Sequence, residues 1–422
     1  MPSSTLTRSL AAAERVTILV FSHLCWDLSF RRPQQVMTRV GRYCDVLFVE
    51  EPKPDGGAAR LDVRAVAPGV EVVTPRLEGS ASGFAEVHLM PLGRLLDALL
   101  AERRIRAPLA WFYAPMALPL LKFVEPRGIV YDCMEDFAAW PDLPPDLRLH
   151  ERRLLDLADV VLAAGPSLHA ARKLRRPDAQ CLPDAVDADH FARRSLDPEG
   201  ADAVRARSLH AAISEPRLGY AGPIDQRLDL RLIDDLAARR PDWSMVMAGT
   251  VDGRLEQGLP RRDNIHWLGK PSYGLLPHVL RHWNLALMPF ALTAATRALC
   301  PAEPLECLAA GLRIVTTPLP DVMSLFGPLV RLAEGADGFE GAIDDLLVPS
   351  GARADAEPLA RDRVALLDAS SWDAMVDQVM AAIRPWLGGV LAELPDRRLD
   401  AVGLEEPHAR GRRSLRARAR AR

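Results

Sequence analysis

Short apolar runs recur along this chain. Each is followed by a polar or glycine-bearing turn, and most turns lead into a stretch of helical spacing. In the first half the runs fall at 16–21, 45–49, 70–73, 109–113, 128–131, 159–163 and 179–182. Each is short enough for a strand buried on both faces. Helices are expected at 33–42, 92–104 and 147–157. In the first of these, Pro33 suits the opening turn and Val36, Met37 and Val40 share one side. Strands alternating with helices predict a mostly parallel sheet covered on both faces.

The alternation pauses at 191–216, a polar, charged stretch containing Pro198 and Gly200, read as a linker with room for one helical segment. It restarts with runs at 217–220, 244–248, 264–267, 284–288, 313–316 and 329–332, and with helices at 228–240, 273–283 and 304–310. A last helix is expected over 370–387. Ser371 caps it, and Trp372, Met375, Val376, Val379, Ile383 and Trp386 recur at helical spacing. The chain therefore reads as an α/β protein of two doubly wound units, 16–191 and 217–369. The linker 192–216 joins them, and the helix 370–387 and a tail at 388–422 follow. Ligands of such sheets bind beyond the carboxyl ends of the strands.

Composition narrows the class. A length of 422 residues suits two domains, and 49% apolar residues supply real cores. A formal net charge of −3 argues against a nucleic-acid partner. Six scattered cysteines without a CxxC pair fit reduced thiols in a cytoplasmic protein. No stretch approaches the ~20 apolar residues of a membrane span. Residues 1–15 read as a lead-in to the first strand rather than a cleavable signal. The tail ends in seven arginines over 408–422, read as solvated or as drawn to an anionic membrane surface at ~1 kcal/mol each.

The turns after the strands carry the candidate chemistry. No G-x-G-x-x-G, Walker loop or H-E-x-x-H is present, so no metal or resident cofactor is expected. After the first run comes Ser22-His23-Leu24-Cys25-Trp26-Asp27, then Arg31-Arg32-Pro33 at a helix start whose free N–H groups can meet an anion. His23, Trp26, Asp27, Arg31 and Arg32 are therefore well placed for a polar ligand. Cys25 and His23 make a poor nucleophile pair. Asp132, Glu135 and Asp136 follow the run at 128–131, where three carboxylates can orient hydroxyls, move protons or cap a helix. In the second half, Gly222 allows a ligand close to the backbone and Arg227 offers a fork suited to a diphosphate. Gly249 marks another strand-end turn. In the loop 289–303, Thr293 and Arg297 precede a helix that starts near Pro304 and stops at Gly311. Glu306 in its first turn can accept both hydroxyls of a ribose.

Five stretches, in order, give the chain its likeness: SHLCWDLSFRRPQQ, YDCMEDF, GPIDQRLDL, NIHWLGKPSYGLLPHVLRHWNLALMPF and LECLAAGLRIVTTPLPDV. Over about 16–386 it resembles the GT-B glycosyltransferases, close to the family-4-like bacterial enzymes that build cell-surface polysaccharides. The resemblance implies two Rossmann-like domains facing across a cleft, with a nucleotide-diphospho-sugar donor on the second and a glycan or lipid-linked acceptor on the first. It implies retention of configuration without a bound metal. From the reduced thiols and the basic tail, the chain is expected in the cytoplasm, peripheral at the inner face of the membrane. It places Arg227 at the donor diphosphate, Glu306 at the ribose, and the backbone of Leu268 and Gly269 at the base. His23, Asp27, Asp132 and Glu135 would position acceptor and donor sugar. Trp26, Arg31 and Arg32 would meet the acceptor. The chain departs from the family pattern at Ala298, at Ala302-Glu303 and at Pro223, where relatives carry an acidic residue, Thr-Lys and a second basic residue. These departures keep a second reading open, a glycan- or partner-binding homologue without catalysis.

Overall fold

The computed structural model describes residues 15–28, 30–81, 83–137, 145–347 and 356–388. The arginine tail lies outside them. Among the described residues, two sheets account for all named strands.

The first sheet holds β1 (Thr17–Phe21), β2 (Asp45–Val49), β3 (Lys53–Pro54), β4 (Arg60–Ala67), β5 (Val70–Leu77), β6 (Leu109–Phe112), β7 (Gly128–Cys133), β8 (Val160–Ala163) and β9 (Gln180–Cys181). Its order is β3-β5-β2-β1-β6-β7-β8-β9, with β4 paired to β5. Every pairing is parallel except β4–β5. Helices α1 (Arg32–Val40), α2 (Glu86–Glu102), α3 (Pro145–Leu157) and α4 (Pro166–Lys173) connect these strands. The second sheet holds β10 (Arg217–Ala221), β11 (Ser244–Ala248), β12 (Ile265–Trp267), β13 (Leu285–Met288), β14 (Ile314–Thr316) and β15 (Arg331–Leu332), in the order β12-β11-β10-β13-β14-β15 and parallel throughout.

Between the sheets lie α5 (Ala188–Phe191) and α6 (Ala201–His210), so the linker stretch does contain one longer helix. Around the second sheet lie α7 (Leu230–Arg239), α8 (Leu276–Leu280), α9 (Glu303–Ala309), α10 (Pro320–Phe326), α11 (Gly335–Leu347) and α12 (Ala356–Ala369). The last helix is α13 (Trp372–Ile383). Ser371 caps it, its Oγ accepting the Ala374 N–H at 3.2 Å. Trp372, Met375, Val376, Val379 and Ile383 are buried together with Val36, Met37 and Val40 of α1 and with β1, β2 and β6. Helix α13 thus packs on the first sheet.

Several elements escape the periodicity. β4 alternates exposed and half-buried positions on the sheet's edge, so it has no buried apolar run. α2 begins at Glu86 rather than 92 because Val87 and Met90 on its first turns are exposed. A 3₁₀ segment over Pro115–Lys122 follows β6, and α4, α10, α11 and α12 were not expected.

In both sheets the first strand is the topological switch. β1 lies between β2 and β6, and β10 between β11 and β13. The crevice of a doubly wound sheet opens beyond the carboxyl ends at such a point. The loops after β1 and β10 therefore face the same kind of opening.

Candidate functional site

One cleft of about 680 Å³ is lined from both halves. The first half supplies the loop after β1, the start of α1, Glu135 and Asp136 after β7, and Asp184 after β9. The second half supplies Tyr220, Gly222 and Arg227 after β10, Gly249 and Thr250 after β11, Lys270 and Tyr273 after β12, and Glu303 and Glu306 of α9.

The first wall is held by buried polar groups. Ser22 donates its N–H to the Val49 carbonyl at 3.0 Å, and its Oγ accepts the Leu24 N–H at 3.0 Å. Gln34, wholly buried, accepts the Arg31 N–H and donates to the carbonyls of Cys25 and Trp26. Glu50 accepts the Trp26 N–H at 2.6 Å and the Thr74 hydroxyl at 2.8 Å. Trp26 is therefore largely core, edge-on to Phe48 at 5.0 Å, with only its rim in the cleft. His23 lines the cleft, where burial lowers its pKa against the opposing charge of Glu135 and the Tyr113 backbone. Asp27 is exposed at the rim and paired with Arg64 at 2.5 Å. Arg31 is exposed in the cleft.

Asp132 is not brought into the cleft. It is fully buried, and its carboxylate receives Arg32 at 2.8 and 3.3 Å. Arg32 also donates to the Leu182 carbonyl at 2.7 Å and to Asp184 at 3.2 Å, so only its edge reaches the opening. The two residues form a support beneath the site, because a buried ion pair needs all its partners in place. Glu135 and Asp136 rest on a second support. Arg172 donates to Glu151 at 2.8 Å, to Asp136 at 3.1 Å and to the Glu135 carbonyl at 3.4 Å.

On the second wall, Gly222 and Gly249 face each other. A Cβ at Gly249 would run into the Gly222 carbonyl oxygen, and one at Gly222 would lie 2.5 Å from the Tyr220 hydroxyl and 2.9 Å from Glu303. Only glycines let these two strand ends approach so closely. Arg227 lies in the cleft with its Nε and Nη2 on Asp225, the shortest contact being 2.6 Å. Glu306, half-buried at the base, has its carboxyl pushed up to about 8, first by burial and then by the charge of Glu303, with Arg31 opposing. Leu305, Cys307 and Leu308 bury the other side of α9, and Gly311 ends the helix at φ +77°.

Leu268, Gly269, Thr293 and Arg297 do not line the cleft. Leu268 and Gly269 lead directly into Lys270, which does. Thr293 is turned to its own loop, where its N–H donates to the Thr296 hydroxyl at 3.0 Å. Asp184, Lys270 and Tyr273 were missed. Asp184 follows a two-residue strand, and Tyr273 stacks on His190 at 4.1 Å, a pairing across 83 residues that no local pattern reveals.

No family model matches the chain. A Bacillus subtilis protein assigned as the teichuronic acid biosynthesis glycosyltransferase TuaH is 26% identical over 237 residues, 52% of this chain and 58% of that one. The match thus spans little more than half of that relative. Sucrose-phosphate synthase from Thermosynechococcus elongatus superposes with a TM-score of 0.68 at 16% identity, over 88% of this chain and 99% of the other. Anabaena HepE, in complex with UDP and glucose, gives 0.62 at 12% identity over 88% and 100%. The catalytic domain of starch synthase IV from Arabidopsis thaliana, bound to ADP and acarbose, gives 0.63 at 11% identity over 89% and 100%. With two Rossmann-like sheets on one cleft and these neighbours, the fold of this chain is the GT-B fold of the glycosyltransferases.

Proposed function

We propose that the protein is a glycosyltransferase that moves a sugar from a nucleotide-diphospho-sugar to a glycan or lipid-linked acceptor, with retention of configuration. The observation that carries this reading is one cleft between two switch points, with Arg227 and Glu306 on one wall and His23 and Glu135 on the other. The likeness to TuaH and to a neighbour holding UDP and glucose supports the donor class.

In this reading residues 217–369 hold the donor and 16–191 the acceptor. Glu306 accepts the ribose hydroxyls. Gly222 and Gly249 admit the donor against the backbone. As the glycosidic bond to the diphosphate breaks, negative charge grows on the leaving phosphate oxygen. Arg227, pre-oriented by Asp225, meets that charge without reorganising. The acceptor hydroxyl attacks from the face the diphosphate leaves, passing its proton to the departing oxygen. His23, Asp27 and Glu135 orient the two sugars, while Trp26 and Arg32 shape the acceptor side. The reaction takes place at the cytoplasmic face of the membrane, with the arginine tail toward anionic lipid.

Purified protein assayed for donor hydrolysis and transfer with UDP-, GDP- and ADP-sugars tests the reading. Turnover with one of them is expected. Neither turnover nor binding with any donor overturns it. Tight binding without turnover favours the binding-protein alternative, which Glu303 beside Gly222 also motivates.

A further inference from the structure

The second wall of the cleft is poorly furnished for a diphosphate by itself. Its cations are Arg227 and Lys270, and its charged carboxylate is Glu303, since Glu306 is raised to about 8. Arg227 already spends two of its donors on Asp225. With Asp225 offsetting Arg227 and Glu303 offsetting Lys270, a nucleoside diphosphate there meets about as much negative as positive charge, which favours no binding.

One cation from the opposite wall changes this balance. Arg31 stands at the start of α1, exposed in the cleft, and has no ion pair among the described residues. That end of the first half is fastened to the second. Phe30 lies against Tyr273, ring centroids 5.6 Å apart, and Gln35 donates to the Tyr273 hydroxyl at 3.2 Å. Lys270 donates to the Leu28 carbonyl. Tyr273 is itself fixed by stacking on His190 and by its carbonyl, 3.0 Å from the His190 Nε2. Arg31 therefore faces second-half groups. Its charge acts on the Glu306 carboxyl, on Lys270 and on the Tyr220 hydroxyl at the end of β10. An unpaired guanidinium lining the same cleft as Lys270 and the Gly222 turn is a fork waiting for phosphate oxygens.

We infer that Arg31 is a donor-binding residue supplied across the cleft, contacting the diphosphate that the second half binds incompletely. It had been expected on the acceptor side. The inference rests on the donor reading above, and its test separates the two.

The full chain is titrated by calorimetry with UDP, GDP and ADP, and with the matching nucleosides, as wild type, Arg31→Gln and Arg31→Lys. Loss of one charge-assisted phosphate contact corresponds to about a ten- to hundred-fold weaker diphosphate. That loss is expected for Arg31→Gln, with nucleoside affinity changed less than about two-fold and partial recovery in Arg31→Lys. Because Arg31 is exposed, melting temperatures should coincide, and circular dichroism checks this. Equal diphosphate affinity in wild type and Arg31→Gln overturns the inference alone. So does a loss that falls equally on the nucleoside, since Arg31 would then act through Glu306 at the ribose. Wild type that binds no nucleoside diphosphate overturns the donor reading, and this inference with it.

Discussion

Arg32 donates to both oxygens of Asp132, at 2.8 and 3.3 Å, with each side chain almost wholly removed from water. The contact ties the first turn of α1, which lines the first cleft wall, to the end of β7, whose following residues line it too. Removing one partner leaves a buried charge unpaired, which costs about 3–5 kcal/mol. Asp132→Ala is therefore expected to lower unfolding free energy by about that amount in urea. Asp132→Asn, which keeps an acceptor, should lose less. A loss under ~1 kcal/mol for Asp132→Ala would show that the pair carries no structural role.

Glu306 makes nucleotide binding depend on pH. Its carboxyl is raised to about 8, so at neutral pH it is mostly protonated. Ribose hydroxyls favour the carboxylate, so binding should strengthen as pH rises through about 8 and release a proton at pH 7. Buffers of different ionisation enthalpy give that proton count in calorimetry. Glu306→Gln should abolish both effects. The same raised value means that the folded state holds this proton more tightly than the unfolded chain. Its contribution to stability is thus favourable to protonation and declines as pH climbs from about 4.5 through 8. Glu306→Gln should lose less stability than wild type over that window.

Glu303 sits against the Gly222 turn, where its charge opposes any phosphate bound there. Neutralising one like charge at partly screened range is worth roughly ten-fold in affinity. Glu303→Gln is expected to bind UDP or its preferred counterpart roughly ten-fold tighter. Unchanged or weaker binding would place the diphosphate elsewhere.

The approach of Gly249 to the Gly222 carbonyl leaves no room for a methyl group. Gly249→Ala must push the β10 and β11 ends apart, at about 1–3 kcal/mol in overpacking. Nucleotide affinity should fall by more than ten-fold while Gly253→Ala, a neighbouring position with open space around it, leaves both quantities unchanged.

Arg172 gathers Glu151, Asp136 and the Glu135 carbonyl. Arg172→Met should release the turn that holds Glu135 beside His23. Since Glu135 opposes the lowering of the His23 pKa, the histidine titration, followed by NMR, should move further down. An unmoved His23 titration would mean that the turn is fixed without Arg172.

Much of the architecture is legible because buried parallel strands have no exposed face. Runs such as 45–49 and 244–248 coincide with β2 and β11 residue for residue. What the pattern hides is whatever is half-exposed or made by distant pairing. β4 alternates at an edge, and β9 and β15 are only two residues long. The site divides in the same way. Gly222 and Gly249 stand directly after strands, Arg227 in the turn after β10 and Glu306 in the first turn of α9, and all four can be read locally. The burial of Asp132 depends on Arg32, a hundred residues earlier. Thr293 and Arg297 belong to a long loop whose own turns decide which side chains face the cleft, and these two do not.

Helix α13 shares its buried face with α1 and the first sheet, although the whole second sheet intervenes in the chain. During synthesis, the first half must therefore wait for more than 180 residues to emerge between β9 and Trp372 before that face is covered. Until then Val36, Met37 and Val40 stand uncovered on that side, so a nascent chain is open to association or chaperone capture there. Completion of the first half is a late event in the life of the chain, and damage to residues 372–383 should surface as poor yield before it surfaces as altered chemistry.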